Sequence, residues 1–571
     1  MDTSLISTVV LIAALGAADP ESSRRSIFEN PGDATPRGKI DELVFGQLQQ
    51  LGIPPARLCS DSVFVRRVYL DAIGTLPTAE EAKEFLADRS PDKRRALIDR
   101  LMEREEFADY WAMKWSDLLR IKAEFPINLW PNAAQSYHRW IRTNIKQNLP
   151  YDRFAREMLT ANGSNFRVPQ VNFYRAMQNR EPPGIAQTVA LTFMGARTEK
   201  WPKERWSGMA DFFAQVSYKS TGEWKEQIVF YDEAKATAQA ASEGSKEAVL
   251  PDGTRVRLSP DRDPRAVFAD WLVAPQNPWF ARSIVNRVWS WLEGRGIIHE
   301  PDDIRPDNRP SNPELLAYLE RELLAARYDL RHIYRLILNS ATYQLSSIPR
   351  SDKPEAAAHF AFYPLRRLEA EVLIDALCQI TGTTEKYTSI IPEPFTYIPE
   401  DHRSIALPDG SITSSFLEQF GRPSRDSGLE SERNNHLTAD QYLHLLNSSH
   451  IRDKIVQSPK LKSLLPPEPK AEASPKPQAG SKGPKGAKPQ SPARTKSKID
   501  PAARQQAEAQ AAAAQREIVS GYYLTILSRF PTEEELKLVA AHSPPRRGRL
   551  REGPADLAWS LINSSEFLYR H

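Results

Sequence analysis

A ten-residue string occurs twice in this chain, and it restricts the possible folds more than any other feature. Tyr69-Leu70-Asp71-Ala72-Ile73-Gly74-Thr75-Leu76-Pro77-Thr78 is matched by Tyr523-Leu524-Thr525-Ile526-Leu527-Ser528-Arg529-Phe530-Pro531-Thr532. In each copy a glutamate, Glu81 or Glu535, follows the threonine by three positions. That spacing is a capping box: the hydroxyl accepts from the third helical N–H while the carboxylate reaches back. Each copy therefore reads as helix, Pro-marked break, new helix. A second element follows each copy, Leu101-Met102-Glu103-Arg104-Glu105-Glu106-Phe107 and Leu561-Ile562-Asn563-Ser564-Ser565-Glu566-Phe567. A helical hairpin used more than once is architecture, not chemistry.

Helical periodicity dominates the rest. Ile40, Leu43, Val44, Leu48 and Leu51 share one helix face, as do Leu315, Leu316, Leu319 and Leu323. The fold class is mainly α, two helical domains with a small β-containing connector. The strand signals are Gln227 to Tyr231 and Val249 to Val256, the latter with an Asp252-Gly253 turn. They place a connector at 217–262, between a first domain over 38–216 and a second over 263–458. A chain of 571 residues is long enough to predict separate cores.

Between Pro459 and Lys498 ten Lys and Arg face two Glu, a surplus of +8, so the rest of a chain totalling +3 stands at −5. With its Pro, Ala, Ser and Gly, the stretch 459–500 reads as a solvated basic linker, or as an arm for a polyanion. The mildly acidic remainder carries no nucleic-acid footprint. Residues 501–571 then form a C-terminal hairpin that docks back on the second domain, since a flexible tether adds little closure entropy.

At the other end, the apolar run Leu5 to Leu15 precedes Gly16-Ala17-Ala18, a pattern suited to signal-peptide cleavage after residue 18. Asp2 stands where a basic residue is usual. Export to the periplasm, the cell surface or the medium is the expectation, with no transmembrane segment elsewhere. The two cysteines, Cys59 and Cys378, build neither a disulfide framework nor a metal site.

Several strings resemble the paired domains of unknown function first recognised in planctomycete surface and cytochrome-like proteins. In the first domain these are Phe64-Val65-Arg66-Arg67-Val68-Tyr69-Leu70-Asp71, then Tyr110-Trp111 with Trp115, Asp117 and Arg120, and Asn172-Phe173-Tyr174. In the second they are Asn277-Pro278, Arg282, Asn286-Arg287-Val288-Trp289, Pro301-Asp302-Asp303, Arg366-Arg367-Leu368-Glu369-Ala370-Glu371 and Asn563-Ser564 with Glu566-Phe567. Many relatives carry a C-x-x-C-H haem motif in the first domain. Here Phe193-Met194-Gly195 and Trp201 flank only Ala196-Arg197-Thr198-Glu199-Lys200. The C-x-C that relatives place before Glu432-Arg433 is replaced by Leu429 and Ser431. The resemblance thus implies one redox or metal site whose two motifs were lost together. That reading requires the loop 196–201 to lie near 429–433.

The remaining polar residues form the candidate site: Arg282, Arg287, Asp302, Asp303, Arg366, Glu369, Glu371, Glu432, Arg433 and His436. Asp302-Asp303 could bind a cation or work as acid and base, or pair with Arg282, Arg287 or Arg305. On a helix Arg367 and Glu371 would pair one turn apart, and Arg67 and Asp71 likewise. His332, His444 and His450 lack ligand spacing. Trp111, Trp115, Trp130, Trp140, Tyr110 and Tyr137 could form a glycan platform or pack in the core. No cofactor and no metal is expected. Two functions follow: a haem-free binding or assembly component recognising protein or polysaccharide, or a hydrolytic or redox enzyme using the Arg/Asp/Glu cluster. Covalent haem needs thiols and an imidazole, so the purified protein should show no Soret band, and its intact mass no attached porphyrin.

Overall fold

The two capping boxes are built alike in the computed structural model, which describes residues 27–243, 247–259, 261–466, 501–542 and 552–571. Glu81 Oε2 accepts from the Thr78 N–H at 2.8 Å and Thr78 Oγ1 from the Glu81 N–H at 3.1 Å. The corresponding distances at Thr532 and Glu535 are 2.7 and 3.1 Å. The preceding helix ends in a left-handed residue each time, Gly74 and Ser528, both at φ 60°. A Cβ at Gly74 would collide with the Tyr110 ring. Arg104 bridges Glu81 and Glu106 under the Tyr69 ring, and Arg529 bridges Glu535 and Glu566 under that of Tyr523.

The fold is mainly α. Helices Lys39–Leu51, Asp61–Ile73, Ala79–Ala87, Lys93–Glu103, Glu105–Leu118, Pro131–Lys146, Tyr151–Thr160 and Pro182–Met194 make the first block. Pro264–Leu272, Phe280–Glu293, Pro313–Ala325, Leu330–Asn339 and Ala370–Thr381 begin the second. Length predicts separate cores, but the buried apolar side chains form one continuous cluster. The reason is cross-packing: Lys39–Leu51 lies on Pro313–Ala325, Lys93–Glu103 on Leu330–Asn339, and Pro182–Met194 on Phe280–Glu293.

Strands are short. Gln227–Tyr231 pairs antiparallel with Val216–Ser220 and with Gly163–Ser164. Glu247–Val249 and Arg255–Arg257 form a hairpin closed around Gly253, whose φ is 92°. The third pairing joins distant sequence: Arg366 opposes Arg570 and Arg367 opposes Tyr569. The stretch read as linker begins with structure, since helix Pro459–Ser463 is capped by Ser458 and buries Leu461 against the second block. Residues 467–500, like the N-terminal apolar run, lie outside the described residues. Helix Pro501–Leu527 packs on Ala79–Ala87 of the first block, and Glu552–Ile562 packs on Ser449–Gln457 of the second.

Candidate functional site

Helix Asp61–Ile73 carries Arg66, Arg67 and Asp71 into the seam between the blocks, where all three are buried. Arg66 donates to the Ile526 and Phe567 carbonyls, and Arg67 to those of His571, Tyr343 and Leu345. Asp71 accepts from Tyr343 Oη at 2.9 Å, Tyr363 Oη at 2.8 Å and Arg570 Nη1 at 2.9 Å, with Arg366 Nη2 at 3.4 Å. The expected Arg67–Asp71 pair therefore does not form, because tertiary partners take up both ends.

Helix Glu105–Leu118 presents Tyr110, Lys114 and Asp117 along one face. Glu369 receives Lys114 Nζ at 2.8 Å and the guanidinium of Arg570, which also donates to Tyr110 Oη. Glu371 takes both Nη atoms of Arg433, at 2.6 and 3.0 Å, and Arg433 reaches Asp117 at 2.6 Å. Arg425 completes Asp117 at 2.9 Å. The Arg367–Glu371 pair is likewise absent. Arg366 and Arg367 lie in the strand paired with Tyr569–Arg570, the helix starts only at Ala370, and Arg367 donates to the carbonyls of Phe420, Asn434 and Asn435.

Burial pushes the Glu369 and Glu371 carboxyls up, but Arg570 and Lys114 beside the first and Arg433 beside the second hold both below the usual carboxylate range. Both stay charged. Glu293 differs: it is 2% exposed, its Oε1 has no hydrogen-bond partner among the described residues, and burial pushes it up to about 8 despite Arg366 and Arg67 nearby.

Of the other candidates, Arg287 and Asp302 are buried and paired at 2.7 Å. Asp303 pairs with Arg305 at 2.9 Å, and Arg282 with Glu320 at 2.7 Å. Glu432 Oε1 and Oε2 accept from the backbone N–H of Asp426 and Ser427 and so close the 424–432 turn. His436 is exposed, and its backbone N–H donates to Asn434 Oδ1. His332 pairs with Glu322 and His450 with Glu385, while His444 stacks edge-on with His450. The candidates Arg366, Glu369, Glu371 and Arg433 converge in the seam, and Arg287 with Asp302 joins the segments beside it. Every one is spent on protein partners. Asp302 Oδ2 also accepts the Glu430 N–H at 2.6 Å, and the neighbouring Ile304 N–H donates to Gly195 O at 2.8 Å. The loop 301–304 thus ties the chain after Met194 to the 429–433 segment.

An open cleft of about 320 Å³ adjoins the seam, lined from the first block by Thr75, Thr78 and Arg104 and from the second by Gln379, Thr383 and Arg403. Arg403 Nε stands 3.6 Å from Asp375, which burial pushes up to about 6 although the Ser404 and Ile405 N–H groups donate to it. Cys378, also in the wall, is pushed up to about 11 by burial with Lys454 Nζ at 3.5 Å, so its thiol keeps its proton. Sequence reasoning misses this cleft, because single Thr, Gln and Arg side chains from five segments carry no pattern. Among the described residues no His, Cys, Asp and Glu side chains are grouped to hold a metal ion, and no helix is long and apolar enough to cross a membrane.

A mainly helical protein with two interlocked blocks and an ion-paired seam matches a pair of domains of unknown function. Residues 39–217 match PSCyt2, a protein of unknown function (DUF1549), and residues 264–543 match PSD1, a protein of unknown function (DUF1553). The chain belongs to this two-domain family. No curated protein and no solved structure matches it.

Removing one partner from a buried pair strands the other charge, which typically costs about 3–5 kcal/mol. Arg570→Met should therefore lower the unfolding free energy by an amount of that order, read from the denaturant midpoint and slope. Glu293→Gln should stabilise. A raised carboxyl pKa favours the folded state fully below the unfolded-state value of about 4.3, and that contribution is lost as pH rises to about 8. The gain from Glu293→Gln should grow by up to about 1.4 kcal/mol per pH unit across that window, measured by urea unfolding at several pH values.

Proposed function

We propose that this protein is a haem-free binding component of an exported compartment (periplasm, cell surface or medium) and that it recognises a polysaccharide at the interdomain cleft. One observation carries the reading: the charged residues singled out by their strings are closed into internal ion pairs, while the open cleft beside them is lined by hydroxyl, carboxamide, carboxylate and guanidinium groups. Such a wall suits a hydroxyl-rich chain, because each sugar hydroxyl both donates and accepts. The N-terminal apolar run supports export. The loss of a haem site in this chain is supported by two features, the absence of Cys and His from 196–200 and the loop 301–304 that joins the flanks of both altered motifs.

The enzyme alternative rests on the acids of the same wall, Asp375 with Glu81, Glu106, Glu385 and Asp401. Two measurements decide between them. Gln379→Ala with Arg403→Ala removes a neutral and a charged donor, about 2–4 kcal/mol together, so glycan affinity should fall roughly thirtyfold or more in calorimetry. Hydrolysis of the bound glycan that Asp375→Asn abolishes would instead establish the enzyme.

A further inference from the structure

Five carboxylates line the interdomain cleft, and their partners are too few to neutralise them: Glu81, Glu106, Asp375, Glu385 and Asp401. Glu81 and Glu106 share a single guanidinium, that of Arg104, at 2.7 and 2.6 Å. Asp375 has Arg403, and Glu385 has Lys454 at 3.2 Å beside His450 at 2.9 Å. Asp401 is exposed, and its carboxylate has no hydrogen bond or ion pair among the described residues. Histidines aside, five acids thus face three cations, a surplus of two negative charges. Arg104 holds Glu106 below the usual carboxylate range, and His450 and Lys454 hold Glu385 there against its burial, so both are charged at neutral pH.

The chain from Thr388 to Asp401 leaves the cleft and returns to it. Tyr387, in the wall, donates from its hydroxyl to the His402 carbonyl at 2.9 Å and closes the base of this loop. Thr388 pairs with Thr413, and the Ile390 N–H donates to Glu124 Oε1 of the first block at 3.1 Å, so the loop is held in place. It carries three acids, Glu393, Glu400 and Asp401, and no Lys or Arg. Glu393 and Glu400 are exposed and, like Asp401, have no side-chain partner among the described residues. Two rings stand out beside them: Phe395 is 54% and Tyr397 68% exposed, and the Phe395 ring is steadied by Trp130 at 5.6 Å.

Free carboxylates and open ring faces have one ligand chemistry in common, a cation on a carbon framework. A ring face attracts an ammonium group, and a carboxylate pairs with it. Resting on the glycan reading above, we infer that the polysaccharide is an amino-sugar polymer with free amines, running from the cleft out over the loop 388–401. Its hydroxyls meet Gln379 and Arg403 inside the cleft, and its amines meet Asp401, Glu400 and Tyr397 at the mouth. A uronate or sulfated chain would be repelled by the acid surplus. A neutral or N-acetylated chain brings no charge to answer it.

Calorimetry on the full chain tests this with glucosamine oligomers, the matching N-acetylglucosamine and glucose oligomers, uronate oligomers and an oligolysine peptide. One exposed ring contact and one exposed ion pair together should make the free-amine oligomer bind roughly tenfold tighter than the acetylated and neutral ones. That margin should shrink as ionic strength rises from about 0.01 to about 0.1 M, which shortens the screening length from roughly 30 to roughly 10 Å. Asp401→Asn with Glu400→Gln, two exposed side chains, should weaken free-amine binding roughly fivefold and leave glucose-oligomer binding unchanged. Equal affinity for the free-amine and neutral oligomers would overturn the inference and leave the glycan reading standing, whereas no binding of any sugar would overturn both. Tighter binding of the uronate, or oligolysine bound as tightly as the amino sugar, would also overturn it.

Discussion

The carboxylate of Asp71, sealed from water between two phenols and two guanidinium groups, decides where three distant segments must stand. A buried ion costs several kcal/mol unless its partners are well placed, and here they come from residues 343, 363, 366 and 570. Apolar burial supplies most of the driving force for folding but has no direction. The directional information sits in this charge and its neighbours, Glu369 and Glu371. The pairing runs across the seam as two neighbouring sets, Asp71–Arg570–Glu369–Lys114 and Glu371–Arg433–Asp117–Arg425. The two family domains are consequently parts of one interlocked body.

Much of the helical architecture can be read from local rules. Both capping boxes need only residues three apart, and the hairpin at Asp252-Gly253 needs only its turn. What local rules cannot give is the choice between a near partner and a distant one. Arg67 and Asp71 have ideal spacing to pair on their own helix, yet each is taken by groups hundreds of residues away. Arg367 and Glu371 lose their spacing when the chain at 366–367 adopts a strand, and that strand exists only because residues 569–570 arrive to pair with it. The candidate polar residues were identifiable as special by their strings, and five of them prove to be buried in ion pairs: Arg287, Asp302, Glu369, Glu371 and Arg433. Nothing in a list of such residues distinguishes a weld from a workplace.

The cleft illustrates the converse, because its wall is gathered from five segments spread between residues 75 and 403 and leaves no motif. Trp111 and Trp115 hint at an aromatic surface, but their burial is a property of the packed helices. The loop after Met194 belongs to the same lesson. Its tie to the 429–433 segment through the loop 301–304 is visible only in three dimensions.

The bond from Arg570 back to Asp71 spans 499 positions. At the roughly 5–20 residues per second of ribosomal synthesis, about half a minute to two minutes separate the making of the two residues. Until residues 343, 363 and 366, and last of all 570, have been made, Asp71 lacks the partners that satisfy it in the folded chain. A chain ending near residue 217 would lack all four of those partners, so the family boundary cuts across the network of buried charge that the folded chain completes.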